Sequence, residues 1–138
     1  MGDSTFSITG TEGIDNETGI SYVNQVLIIE LKRGGFKLTS TERNQAAGYI
    51  DEIQNCGSLI NSPYINAFVV GETFATKMNP IQAISNANNV EVGKVRVCLF
   101  SQIVDTAEKR LFGLRKRLNE RYDDVPGMEL YKQHTLQL

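Results

Sequence analysis

Residues 26–35 read Val26-Leu27-Ile28-Ile29-Glu30-Leu31-Lys32-Arg33-Gly34-Gly35. Four apolar residues in a row, three of them β-branched, are followed by a charged stretch and a pair of glycines. With the preceding Ser21-Tyr22-Val23-Asn24-Gln25, they predict a strand over 21–32 that stops at Gly34 and Gly35. A run that is apolar on both faces belongs in the middle of a sheet. Side chains alternate along a strand, so Glu30 and Lys32 share one face. A carboxylate and an ammonium at the end of a core strand each need a partner, a metal or a solvated cleft, because burying either charge alone is costly.

Outward from this strand, residues 4–9 (STFSIT) alternate and predict a short strand. Residues 10–20, rich in Gly, Asp, Asn and Thr, predict a turn or hairpin loop. Residues 39–54 predict a helix. Thr39 and Glu42 form a capping box, and Ala46, Tyr49, Ile50 and Ile53 share a face. Gly57 is placed to stop it. Residues 64–71 (YINAFVVG) predict a second buried strand, Pro80–Ala87 a short helical stretch, and 94–103 a further strand. A long helix is expected from Asp105 to Tyr122, with Ala107, Leu111, Leu114, Leu118 and Tyr122 three or four apart and Pro126 and Gly127 beyond its end. The order β-β-α-β-(α)-β-α describes an α/β protein with a mixed central β-sheet flanked by helices in one three-layer core. One domain over residues 1–125 and a C-terminal tail over 126–138 are expected.

With 138 residues, a single core is the expectation. No apolar run approaches the roughly 20 residues that span a bilayer, and MGDSTFSITG has neither the basic nor the apolar region of a secretory signal. A formal charge of −2 excludes a uniformly basic nucleic-acid coat. His134 is the single histidine, which excludes mechanisms that require two. Cys56 and Cys98 are isolated, so neither a zinc ribbon nor a disulfide framework is indicated. A reducing, cytoplasmic compartment is expected. Lys109, Arg110, Arg115, Lys116, Arg117 and Arg121 could line a phosphate strip. Interleaved Asp105, Glu108 and Glu120 make a solvated helix face the preferred reading.

Glu30 and Lys32 suit phosphodiester hydrolysis. A divalent cation on Glu30 activates water and offsets phosphate charge, while Lys32 stabilises the charge that develops. From spacing alone, an ion pair at a strand end facing water is the more economical account. Lys32, Arg33 and Lys37, around the glycines and beside the expected metal, are the better phosphate-contact candidates, and Tyr49 is a further DNA-contact candidate.

VLIIELKRGG followed by LTSTERNQAAGYIDEI resembles the PD-(D/E)XK nuclease superfamily. The similarity is to the branch of Shedu-type anti-phage nucleases and nuclease-like domains fused to GHKL-type ATPases. It covers roughly residues 3–70 by motif and the remainder by order of elements. The resemblance implies a restriction-endonuclease-like core and Mg²⁺- or Mn²⁺-dependent DNA cleavage, with Glu30 and Lys32 in the Glu-x-Lys motif. It also implies a metal-binding Asp ahead of that strand, for which Asp3 is the match, without the preceding Pro. Gln45 and Tyr49 occupy the places of a Gln near the active site and a Tyr one turn later, and ordinary helix packing accounts for them equally well. Because Asp3 stands almost at the start, the resemblance implies a core lacking its first helix. The implied partners are DNA, an ATPase domain or subunit and a further copy of the chain, with no membrane. The alternative is a catalytically inactive nuclease-like domain that docks DNA or protein.

Overall fold

In a computed structural model of the chain, residues 4–56 and 62–121 are described. The elements run β1 (Ser4–Ile14), β2 (Ser21–Lys32), β3 (Lys37–Leu38), α1 (Ser40–Asn55), β4 (Tyr64–Gly71), β5 (Thr73–Phe74), β6 (Ile81–Ser85), β7 (Glu91–Leu99) and α2 (Phe100–Arg121). Two compact units result, Met1–Ser101 and Gln102–Leu138. The fold is mixed α/β.

The first unit is built on a five-stranded sheet ordered β1-β2-β4-β7-β6. Strands β2, β4 and β7 run parallel, and the edges β1 and β6 are antiparallel to their neighbours. Their composition explains why. β2 and β4 are dense in Val and Ile, which pack well on a pleated surface. The segment between them is the α1 crossover that parallel pairing requires.

Helix α1 starts where its capping box predicts. Thr39 Oγ1 accepts from the Thr41 N–H at 3.2 Å, and Glu42 Oε2 accepts from the Thr39 N–H at 2.7 Å. Ala46, Ala47 and Ile50 are buried against the sheet, in one cluster with Val26, Ile28, Ile65, Ala67, Val69, Val95 and Val97. Tyr49 and Ile53 pack at its border. Register places Val26, Ile28 and Glu30 on this covered face. Leu27 and Leu31, which alternate with them, are 37% and 38% exposed. The apolar run of β2 therefore serves one closely covered face and one half-open one.

Several expectations change. Residues 80–87 do not form a helix: Ile81–Ser85 is strand β6, paired with β7. Pairing with β7 satisfies the backbone of this segment and buries Ile84 to 8% exposure, which an isolated helical turn cannot match. The hairpin closes through Asn86, whose Oδ1 accepts from the Asn88 and Val90 N–H groups, and Asn89 sits at φ 59°. Strand β1 extends to Ile14, so the first hairpin turn is confined to 15–20, where Asp15 Oδ1 accepts from the Glu17 and Thr18 N–H groups. Strand β7 ends at Leu99 because its ladder with β4 ends at Gly71, and α2 begins at once, five residues before the expected Asp105. The short pair β3–β5 was not expected. Gly57, Tyr122 and the tail over 126–138 lie outside the described residues.

Candidate active site around Glu30 and Lys32

Strand β2 delivers Glu30 to the covered face two residues after Ile28, with Phe6 of β1 and Val69 of β4 as its register neighbours. Glu30 is 4% exposed overall. Its Oε1 accepts from Lys32 Nζ at 2.8 Å, in an ion pair whose side chains are only 6% and 10% exposed. Its Oε2 is buried and has no hydrogen-bond partner. A buried, unpartnered polar atom costs about 1–3 kcal/mol, and more on a charged group. This oxygen is an unmet hydrogen-bond acceptor within the site.

The turn after β2 shapes the other side of Lys32. Gly35 has φ 81°, a conformation open to glycine at little cost, and the Phe36 N–H donates to the Arg33 carbonyl at 3.2 Å. The fold-back sets the Phe36 ring 5.2 Å from Lys32 Nζ, within cation–π range. Glu72, directly after β4, accepts from the Gly35 N–H and ties this turn to the sheet. Glu30 and Phe36 thus hold the ammonium directly, and Glu72 steadies the turn that carries Phe36.

Glu42, on the first turn of α1, is the second buried acid, 8% exposed. Burial pushes its carboxyl up. The hydrogen bonds from Thr39 Oγ1 and the Thr39 N–H outweigh that and, with the Lys32 charge, hold it below the usual 4.5. The Lys32 charge therefore favours the ionised form of Glu42 as well as pairing directly with Glu30.

The remaining expected site residues fall as follows. Arg33 and Lys37 are exposed at the turn and at the start of β3, one and five residues from Lys32. Tyr49 is half-buried, its ring edge-on to Phe6 at 5.4 Å between centroids. Phe6 is the register neighbour of Glu30, so Tyr49 packs beside the site rather than bonding within it. Gln45 is exposed, and because Glu30 Oε2 has no partner, Gln45 does not reach it. Asp3 lies outside the described residues. Among the described residues, no three His, Cys, Asp or Glu side chains are grouped to hold a metal. The orphaned Oε2 is nevertheless a hard oxygen donor of the kind Mg²⁺ takes, usually with one or two carboxylates and substrate oxygens.

Two participants were missed in the sequence. Phe36 gave no signal, since nothing local aims a ring at a residue four positions back across a turn. Glu72 is 37 residues from Gly35, and the pairings of β2 with β4 and of β3 with β5 bring them together. Glu42 was legible as a cap but not as a charge beside Lys32. No helix is long and apolar enough to cross a membrane among the described residues. No protein-family model, curated protein or solved structure matches the chain.

Proposed function

We propose that the chain is a Mg²⁺- or Mn²⁺-dependent DNA endonuclease domain with a restriction-endonuclease-like core. It would act in the cytoplasm, in phage defence or as the nuclease module of a larger protein, alongside an ATPase domain or subunit. The observation that carries this reading is the buried Glu30 carboxylate, with one oxygen on Lys32 and the other unbonded. Glu30 would hold the cation through Oε2, with Asp3 as the second carboxylate that the nuclease resemblance implies. The cation supplies Lewis acidity at the phosphate and a more acidic water. Lys32 Nζ keeps two N–H donors beyond the one given to Glu30, and these offset charge growing on a phosphate oxygen. Its position is set in advance by Glu30 and Phe36, so little ordering is needed during the reaction. Gln45, one turn from Tyr49, would assist at the rim, while Arg33 and Lys37 would take backbone phosphates.

Supercoiled plasmid incubated with the purified chain and Mg²⁺ or Mn²⁺ tests this. Nicking is expected, with a loss of at least a hundredfold in Glu30→Ala and in Lys32→Ala. Absence of nicking by the parent chain, or a Glu30→Ala variant that nicks equally well, rejects the reading.

A second reading is favoured by the closure of Lys32 itself. An ammonium paired with Glu30, covered by Phe36 and only 10% exposed needs no substrate to complete it. An inactive nuclease-like domain that docks DNA or protein would retain that pair as structure. DNA binding that survives Lys32→Ala and is indifferent to divalent cations identifies this case.

A further inference from the structure

The two edges of the sheet are protected very differently. Strand β6 is five residues long and carries a register shift at Ile84/Ser85, both of which discourage further pairing. Strand β1 has eleven residues, and every residue from Ser4 to Glu12 is exposed. From Ser4 to Thr11 it contains no charge and no proline, and its register with β2 is unbroken. The first irregularity is the shift between Thr11 and Glu12, where its only charge also lies. Phe6 and Ile8 are 45% and 55% exposed. A long, uncharged edge of this kind is a template for another strand.

We propose that the β1 edge pairs with β1 of a second copy of this chain, antiparallel about a two-fold axis at Ser7. The residues of β1 are complementary to themselves in that register. Ser7 faces Ser7, Phe6 faces Ile8, Thr5 faces Thr9 and Ser4 faces Gly10. Aromatic against β-branched and threonine against threonine are favourable cross-strand pairs, and no like charges meet. The axis keeps the covered faces of both sheets on one side, so Phe6 and Ile8 of the two copies form one apolar patch. The product is a continuous ten-stranded sheet, within the size that open sheets reach. A closed two-fold contact uses the same patch on both partners and stops at a dimer.

Ser7 aligns with Ile29, on the face opposite Glu30, Ile28 and α1, so substitution there leaves the core untouched. Sedimentation of the full chain across the micromolar range is expected to show a dimer of the 15.4 kDa chain. Ser7→Lys sets two ammonium groups opposite each other and is expected to weaken association at least tenfold, with an unchanged circular dichroism spectrum and, at concentrations where both proteins are monomers, an unchanged melting temperature. Ser7→Cys in a Cys56→Ser background is expected to form a reducible covalent dimer under mild oxidation. A monomer throughout the range overturns the proposal. So does a dimer that ignores Ser7→Lys and fails to cross-link, since it must use another surface, such as the exposed apolar side chains of α2.

Discussion

Glu30 and Lys32 form a pair in which each side chain makes the other tolerable. Removing one leaves a buried charge without compensation, which typically costs 3 kcal/mol or more, whereas replacing both by apolar residues is often neutral. Lys32→Met is therefore expected to lower unfolding free energy by about 3 kcal/mol in urea titration. Glu30→Leu combined with Lys32→Met is expected to return to within about 1 kcal/mol of the parent. Both variants abolish nicking under the nuclease reading, so stability and activity part company in the double variant. Glu42 gives a pH-dependent counterpart. Its folded carboxyl titrates below the usual 4.5, so the ionised form is the one the fold binds. That stabilisation is fully present above the unfolded value and is lost as pH falls through the lower folded value. Glu42→Ala should cost about 1 kcal/mol at neutral pH, as loss of a cap does. Chemical denaturation at decreasing pH should show the gap between parent and variant narrowing below the unfolded value of 4.5.

At the scale of elements, two glycines are under opposite constraints. Gly48 lies in the middle of α1, and a Cβ there would meet nothing within 4 Å. Gly48→Ala is expected to stabilise the protein by about 1 kcal/mol, the helix propensity difference. Gly93 lies in β7, where a Cβ would stand 2.7 Å from the Ile65 carbonyl oxygen and 3.0 Å from Ile50 Cγ2. The sheet backbone cannot withdraw, so Gly93→Ala is expected to destabilise by about 2 kcal/mol, the cost of overpacking. Thermal melts of the two variants should move in opposite directions. Strand β6 belongs to the same scale. A short helical stretch is the expectation over Pro80–Ala87, yet the edge of β7 supplied backbone partners and the Asn86 turn supplied the reversal. Tertiary pairing overrode a weak local preference.

For the whole molecule, a net charge of −2 means that any hold on DNA comes from a local cluster rather than from the overall field. Under the nuclease reading, Lys32, Arg33 and Lys37 contact phosphates, and the logarithm of affinity falls with the logarithm of salt by about 0.9 for each contact. Lys37→Ala is expected to reduce that slope by about one while leaving sequence preference unchanged. Fluorescence anisotropy at several salt concentrations measures it, and an unchanged slope removes Lys37 from the interface.

Features that depend on near neighbours were legible along the chain. The β2 strand, the capped α1 helix and the placement of Glu30 with Lys32 on one face all follow from alternation, capping and turn residues acting within a few positions. The tertiary structure alone decided what depends on partners distant along the chain. It made β6 a strand, swung Phe36 over Lys32, tied Glu72 to Gly35 and left Glu30 Oε2 buried without a bond. Alternation can say that a carboxylate turns inward. Whether its second oxygen finds a partner there is settled only when β1, β4 and α1 close around it.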